Sequence, residues 1–142
     1  MIFSRSTEYG IKAVLFLALH CGDGQRYGIK TIAKNLNLPE PFMGKVLQIL
    51  SRKGIISSIK GPNGGFFFRQ EELSRPMLDV VDAIDGLHIF KQCAIGINHC
   101  DDNHPCPVHQ YYGPARDLLY QALKTRTIAD FTTDLEQGIS FL

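Results

Sequence analysis

At 142 residues, 44% hydrophobic and 20% charged, the chain holds enough apolar material for one packed domain and too little charge for wholesale disorder. No apolar run reaches membrane-spanning length, and the opening MIFSRSTEYG lacks a signal peptide's apolar core. The expectation is a cytoplasmic protein whose four cysteines are thiols or metal ligands rather than disulfides. The net charge of +1 conceals an asymmetry: residues 1–75 hold 11 Lys or Arg against 5 Asp or Glu, and residues 76–142 hold 4 against 9. Balances of +6 and −5 direct any contact with phosphate to the first half.

The first helical pattern runs from about Ser6 to His20, with Tyr9, Ala13, Phe16 and Leu17 in a stripe that Val14, Leu15 and Leu19 widen. Ser6 or Thr7 is the expected N-cap, and Glu8 lies at the positive end of the helix dipole. Cys21-Gly22-Asp23-Gly24 ends this helix, and Cys21 reads as a small half-buried residue rather than a ligand.

From Gly28 to Arg69 the pattern becomes specific. Ile29, Ile32 and Ala33 share a helical face, Leu36-Asn37-Leu38 breaks the period, and Pro39-Glu40-Pro41 opens a second helix. In that helix Phe42, Met43, Val46, Leu47 and Leu50 form the apolar stripe, and Gly54 stops it. Two helices joined by so short a turn place the second in a DNA major groove. Ile55–Ile59 and Phe66–Phe68 are β-prone runs around Lys60-Gly61-Pro62-Asn63-Gly64-Gly65, where Asn-Gly and Gly-Gly are expected to supply the positive φ of a hairpin turn. A helix-turn-helix followed at once by such a hairpin is a winged helix. Pro41, Gly44, Lys45, Gln48 and Arg52 point away from the stripe, and Lys60, Pro62, Asn63 and Gly64 form the wing and its tip. Lys45 and Gln48 suit base edges, whereas Arg52 and Lys60 suit phosphates.

After the wing, Glu71–Pro76 reads as a turn, and Pro76 starts a helix whose face holds Met77, Val80, Val81 and Ile84 until Gly86 closes it. The pattern then vanishes from Lys91 to Val108, a length of loop that needs a function or a ligand to order it. A helical period returns from Gln110, with Tyr111, Ala115, Leu118, Leu119, Ala122 and Leu123 along it, and one more short helix begins at Thr127. A long amphipathic helix beyond a complete DNA-binding unit pairs with its own copy, so Ala115, Leu118, Leu119 and Ala122 are the expected dimer seam.

The structureless loop carries Cys93-x6-Cys100-x5-Cys106. Zinc knuckles use two-residue gaps, and these gaps are longer. Three thiolates with a histidine or carboxylate as the fourth ligand make a shell for an iron–sulfur cluster. Zinc, and thiols that respond to oxidation without metal, are the alternatives.

Taken together, these features resemble the IscR/NsrR-type winged-helix regulators of bacteria. The likeness rests on Ser6-Thr7-Glu8-Tyr9 opening helix one, Ile32-Ala33 through Leu50 as the helix-turn-helix, the KGPNGGF wing at Lys60–Phe66, the three cysteines and the long last helix. It implies a homodimeric transcription factor whose Cys93, Cys100 and Cys106 bind a 2Fe–2S or 4Fe–4S cluster. For the fourth ligand it implies either His109, three residues past the last cysteine, or Glu8 supplied by the other subunit; His99 and His104 lie in the loop as well. The first cysteine gap is one residue longer than in the best-known members.

The predicted fold is therefore mainly α: a winged helix-turn-helix over 1–75 with a two-stranded β wing, a connecting helix and cysteine loop over 76–109, and a dimerisation helix and tail over 110–142. The predicted partners are a palindromic operator in double-stranded DNA and a second copy of the chain, with no membrane. The rival readings are a DNA-binding regulator with a zinc or thiol-redox site, and a winged-helix adaptor for another protein. No nucleophile–base pairing or phosphate loop suggests an enzyme.

Overall fold

The computed structural model describes residues 2–20, 22–97 and 99–142; the reading of Cys21 falls outside them. Six α-helices and a two-stranded hairpin follow in the expected order among the described residues. Helix α1 spans Arg5–Leu19. Its cap is Ser4, not Ser6 or Thr7: the Ser4 hydroxyl accepts from the Thr7 N–H and donates to Asp85 at 2.5 Å. Thr7 is fully buried and its hydroxyl has no partner among the described residues, so its side chain does not cap the helix.

Helices α2 (Ile29–Leu36) and α3 (Glu40–Arg52) form the helix-turn-helix. Asn37 closes α2 with φ of 54°, the left-handed conformation asparagine tolerates better than most residues. Met43, Val46, Leu47 and Leu50 bury one face of α3 at the i, i+3, i+4, i+7 spacing. Phe42 is not part of that face; it is 55% exposed. It stands roughly a quarter turn from the centre of the buried row, in the first turn of the helix.

Strands β1 (Ser57–Ile59) and β2 (Gly65–Phe67) pair antiparallel, with Ser58 opposite Phe66. The strands are shorter than the β-prone runs, because Ile55, Ile56 and Phe68 leave the ladder to enter the core. The positive φ angles of the hairpin fall on Gly61 (110°) and Gly65 (143°), and Asn63 keeps negative φ. The expected Asn-Gly turn is thus a wider loop over 60–64, closed by Gly64 N–H donating to the Gly61 carbonyl at 3.0 Å.

Residues Gln70–Ser74 form a 3-10 turn rather than an open one, capped by Glu72 accepting from the Arg69 N–H at 2.7 Å. Helix α4 covers Leu78–Ile84, and a second 3-10 turn covers Leu87–Lys91. Helix α5 spans His109–Thr125, and α6 spans Ile128–Glu136 behind a Thr127/Asp130 capping box. One apolar core runs from Ala13 to Ile128, with α1 against α3, α4 and α6. No helix among the described residues is long and apolar enough to cross a membrane.

Candidate functional site

Two sites emerge, one on the helix-turn-helix and wing and one in the cysteine loop. On the first, Gln48, Ser51 and Arg52 of α3 face Lys60, Gly61, Pro62 and Gly64 of the wing across an open groove of about 700 Å³. The Ser51 and Ser58 hydroxyls, 2.8 Å apart, bridge helix to wing at its floor. Pro41, Lys45, Gln48, Arg52, Lys60, Pro62 and Asn63 are all exposed, and Pro41, Lys45 and Gln48 line a second shallow surface with Glu40. Gly44 is half-buried because its missing Cβ faces Ile29 of α2 at 3.4 Å, so it also lets the two helices approach.

The wing is held by residues the sequence reading passed over. Tyr27 exchanges two backbone hydrogen bonds with Phe66, at 2.9 and 2.8 Å, adding a one-residue edge to the hairpin. Arg26 donates to the Asn63 carbonyl at the wing tip (3.2 Å) and lies over the Phe67 ring. The Tyr27 hydroxyl donates to Asp23, and this bond raises the Tyr27 pKa to about 12 while lowering that of Asp23. At the other end of α3, Arg75 donates to the Gly54 carbonyl at 2.9 Å and to Asp79 at 2.8 Å. A cation on the last carbonyls suits the negative end of the helix dipole and ties α3 to α4.

The cysteine loop runs from Gln92 to Val108, and its described residues form no helix or strand. It brings the three cysteines and His109 into two donor pairs. The Cys93 and Cys106 sulfurs lie 3.5 Å apart, and the Cys100 sulfur lies 3.2 Å from His109 Nδ1. Cys93 is buried, and hydrogen bonding by the Ile95 backbone, then by Cys106 and by the Ile97 and Gly96 backbones, holds its thiol below the usual range. Gly96 adopts φ of 78°, which lets the chain curl around that sulfur.

His109 opens α5, and its other ring nitrogen, Nε2, lies 2.8 Å from the exposed carboxylate of Asp102. Such a partner orients an imidazole for ligation through the remaining nitrogen. His104 pairs with Asp101 at the surface and is 87% exposed, and His99 is exposed too. None of the side-chain hydrogen bonds or ion pairs among the described residues joins Glu8 to this loop.

Arg116 donates to the Gln92 carbonyl at 3.3 Å, with Cys100 close by. Burial opposes its charge, but contact with Cys100 and then Asp117 outweighs that and raises its pKa. The clue in the sequence was its spacing of seven from His109, which puts both on one face of a helix.

The expected seam on α5 divides. Tyr111 and Leu118 are each 73% exposed and Ala115 is exposed, whereas Leu119 and Ala122 are half-buried, with Leu119 packed partly on the protein's own core. Leu123 is in the core.

The Rrf2 family profile, described as iron-dependent transcriptional regulator, matches residues 3–134. The protein rrf2 of Nitratidesulfovibrio vulgaris is 28% identical over 134 residues, covering 94% of this chain and 89% of that one. Among solved structures, T. potens IscR superposes with a TM-score of 0.71 at 22% identity, covering 98% of this chain and 91% of that one. CymR, the global cysteine regulator of Bacillus subtilis, superposes with a TM-score of 0.70 at 23% identity, covering 92% and 95%. Identities so low speak to the fold, whereas the profile match over nearly the whole length assigns the family. The chain belongs to the Rrf2 family of transcriptional regulators, winged-helix DNA-binding proteins that are not enzymes.

Proposed function

We propose that the protein is a cytoplasmic homodimeric regulator that binds a palindromic operator and carries an iron–sulfur cluster on Cys93, Cys100, Cys106 and His109. The observation that carries this reading is the division of the donors into two pairs. Two ligands on one tetrahedral ion, with bonds near 2.3 Å, lie about 3.7 Å apart. The spans of 3.5 Å for Cys93/Cys106 and 3.2 Å for Cys100/His109 are close to that of a chelate for a single ion. Among the described residues no three His, Cys, Asp or Glu side chains converge on one ion. Two pairs suit two irons better than one zinc. When bound, the cluster supplies a one-electron redox change and sensitivity to iron supply or nitric oxide. The chain's own part is to present the Cys93, Cys100 and Cys106 sulfurs, to aim the His109 ring through Asp102, and to link the loop to α5.

Anaerobic reconstitution, followed by visible absorption and by iron and sulfide counts, tests the reading. The expected result is a coloured protein that Cys93→Ser, Cys100→Ser and Cys106→Ser each bleach. A colourless, iron-free protein after reconstitution overturns it.

One observation favours a second reading. Two thiols 3.5 Å apart, one with a lowered pKa, are placed to react with hydrogen peroxide. The two thiols and one peroxide give a disulfide and two waters. Peroxide treatment of the iron-free protein, with peptide mapping, should then yield a Cys93–Cys106 crosslink that changes DNA affinity; unchanged affinity discards it.

A further inference from the structure

We infer that Arg116 is the positioning residue of the cysteine site: it ties both arms of the loop to α5 and holds a fixed positive charge against Cys100. The side chain is only 11% exposed. A guanidinium so far out of water needs partners, and a planar fork can serve several at once where an ammonium serves a point. One partner is the carbonyl of Gln92, adjacent to Cys93. Cys100, seven positions further along the loop, is close enough for its sulfur to favour the charged form of Arg116. Its carboxylate neighbour, Asp117, is 69% exposed and 3.4 Å away, so it contributes little. The loop arms lack a regular element of their own, and this side chain joins them to the first turns of a helix.

The cation also favours whichever state of the donor set carries more negative charge. That half of the inference rests on the cluster reading above; the anchoring half does not. Two substitutions in the full-length protein separate them. Arg116→Gln removes fork and charge, and Arg116→Lys removes the fork alone. In the iron-free protein, hydrogen exchange over residues 93–97 should become roughly tenfold faster in Arg116→Gln, the loss of one charged hydrogen bond. Arg116→Lys should quicken exchange as well. After reconstitution, Arg116→Gln should be about tenfold harder to reduce, a shift of about 59 mV to more negative potential for one electron, with Arg116→Lys close to wild type.

Unchanged exchange in both variants overturns the anchoring role. Equal potentials in all three proteins, or an equal shift in both variants, overturn the electrostatic role. If wild type takes up no iron, the cluster reading fails together with the electrostatic half, and exchange alone decides whether Arg116 anchors the loop.

Discussion

His109 and Arg116 stand seven residues apart on α5 and both face the cysteine loop, His109 Nδ1 lying 3.2 Å from the Cys100 sulfur and Arg116 donating to the Gln92 carbonyl at 3.3 Å. Seven residues make nearly two helical turns, so both side chains leave the helix on one face. Leu123, seven residues further on, continues that row into the hydrophobic core, where it is 6% exposed. A single helical face thus holds the cysteine loop at one end and is fixed to the body of the protein at the other. The same helix packs against α4.

The fourth ligand can be tested by substitution. His109→Ala should lose or weaken the visible spectrum after anaerobic reconstitution, whereas Glu8→Ala should retain it. Glu8 sits in the first turn of α1 and makes no hydrogen bond or ion pair to the loop among the described residues. The reverse result would assign the ligand to the second subunit. If both variants keep the spectrum, the ligand is His99, His104, water or a small molecule.

The dimer seam calls for a pair of variants. Leu118, 73% exposed, can be changed to Glu with little effect on the fold. A charge buried unpaired in an interface costs several kcal/mol, so Leu118→Glu should sediment as a monomer, its melting temperature falling only by what association contributed and no longer depending on protein concentration. Leu119→Glu should also lower the melting temperature, by a loss on the order of 1–3 kcal/mol, because Leu119 packs partly on its own core. A Leu118→Glu dimer of unchanged affinity would move the seam elsewhere.

On the DNA side, Lys60 and Gln48 should behave differently. Lys60→Ala should weaken all duplexes alike and flatten the salt dependence by about one unit of slope, as expected for one phosphate contact. Gln48→Ala should cost about 1–3 kcal/mol on the preferred operator and little on other sequences. Binding titrations across salt concentrations check both. An unchanged slope removes Lys60 from the phosphate contacts.

Like Gly64, where a Cβ would clash with the Ile59 carbonyl oxygen, Gly65 is a wing residue with no room for a side chain. Its φ is 143°, and a Cβ there would lie 2.9 Å from the Tyr27 carbonyl atoms. Gly65→Ala should cost roughly 1–3 kcal/mol and separate Tyr27 from Phe66. Gly61→Ala, with φ of 110° and nothing within 4 Å, should bear only the conformational strain. Denaturant unfolding of the two variants compares them, and equal losses would remove the steric argument.

Tyr27 makes a pH-dependent contribution. Its neutral hydroxyl donates to Asp23, and its folded value of about 12 exceeds the usual value near 10. The stability it supplies is present below about 10 and lost as pH rises through about 12. Asp23, lowered by the same bond, supplies stability above the ordinary carboxylate range that is lost as pH falls. Ultraviolet titration of the five tyrosines should show one ionising near 12, absent in Tyr27→Phe. An unchanged titration curve in that variant would dissociate Tyr27 from Asp23.

What the sequence determined by itself is local. Helical periods, Pro41 in a first turn, Gly54 and Gly86 at helix ends, and glycines around a short hairpin placed the elements of the winged helix to within a few residues. Each of these signals depends on neighbours within a turn or two. The three cysteines and His109 were legible as donors for the same reason. Tertiary structure decided the rest. Ser4 became the cap because Asp85, 81 residues away, binds its hydroxyl and N–H. Phe42 stayed outside because the core meets α3 a quarter turn away. The apolar residues of α5 split between core and surface, since a helical wheel gives angles without saying which angle faces the protein. Arg75 and Arg116 found their carbonyls through contacts 21 to 24 residues apart. Partners brought together by packing leave no periodic trace, so their pairing belongs to the fold alone.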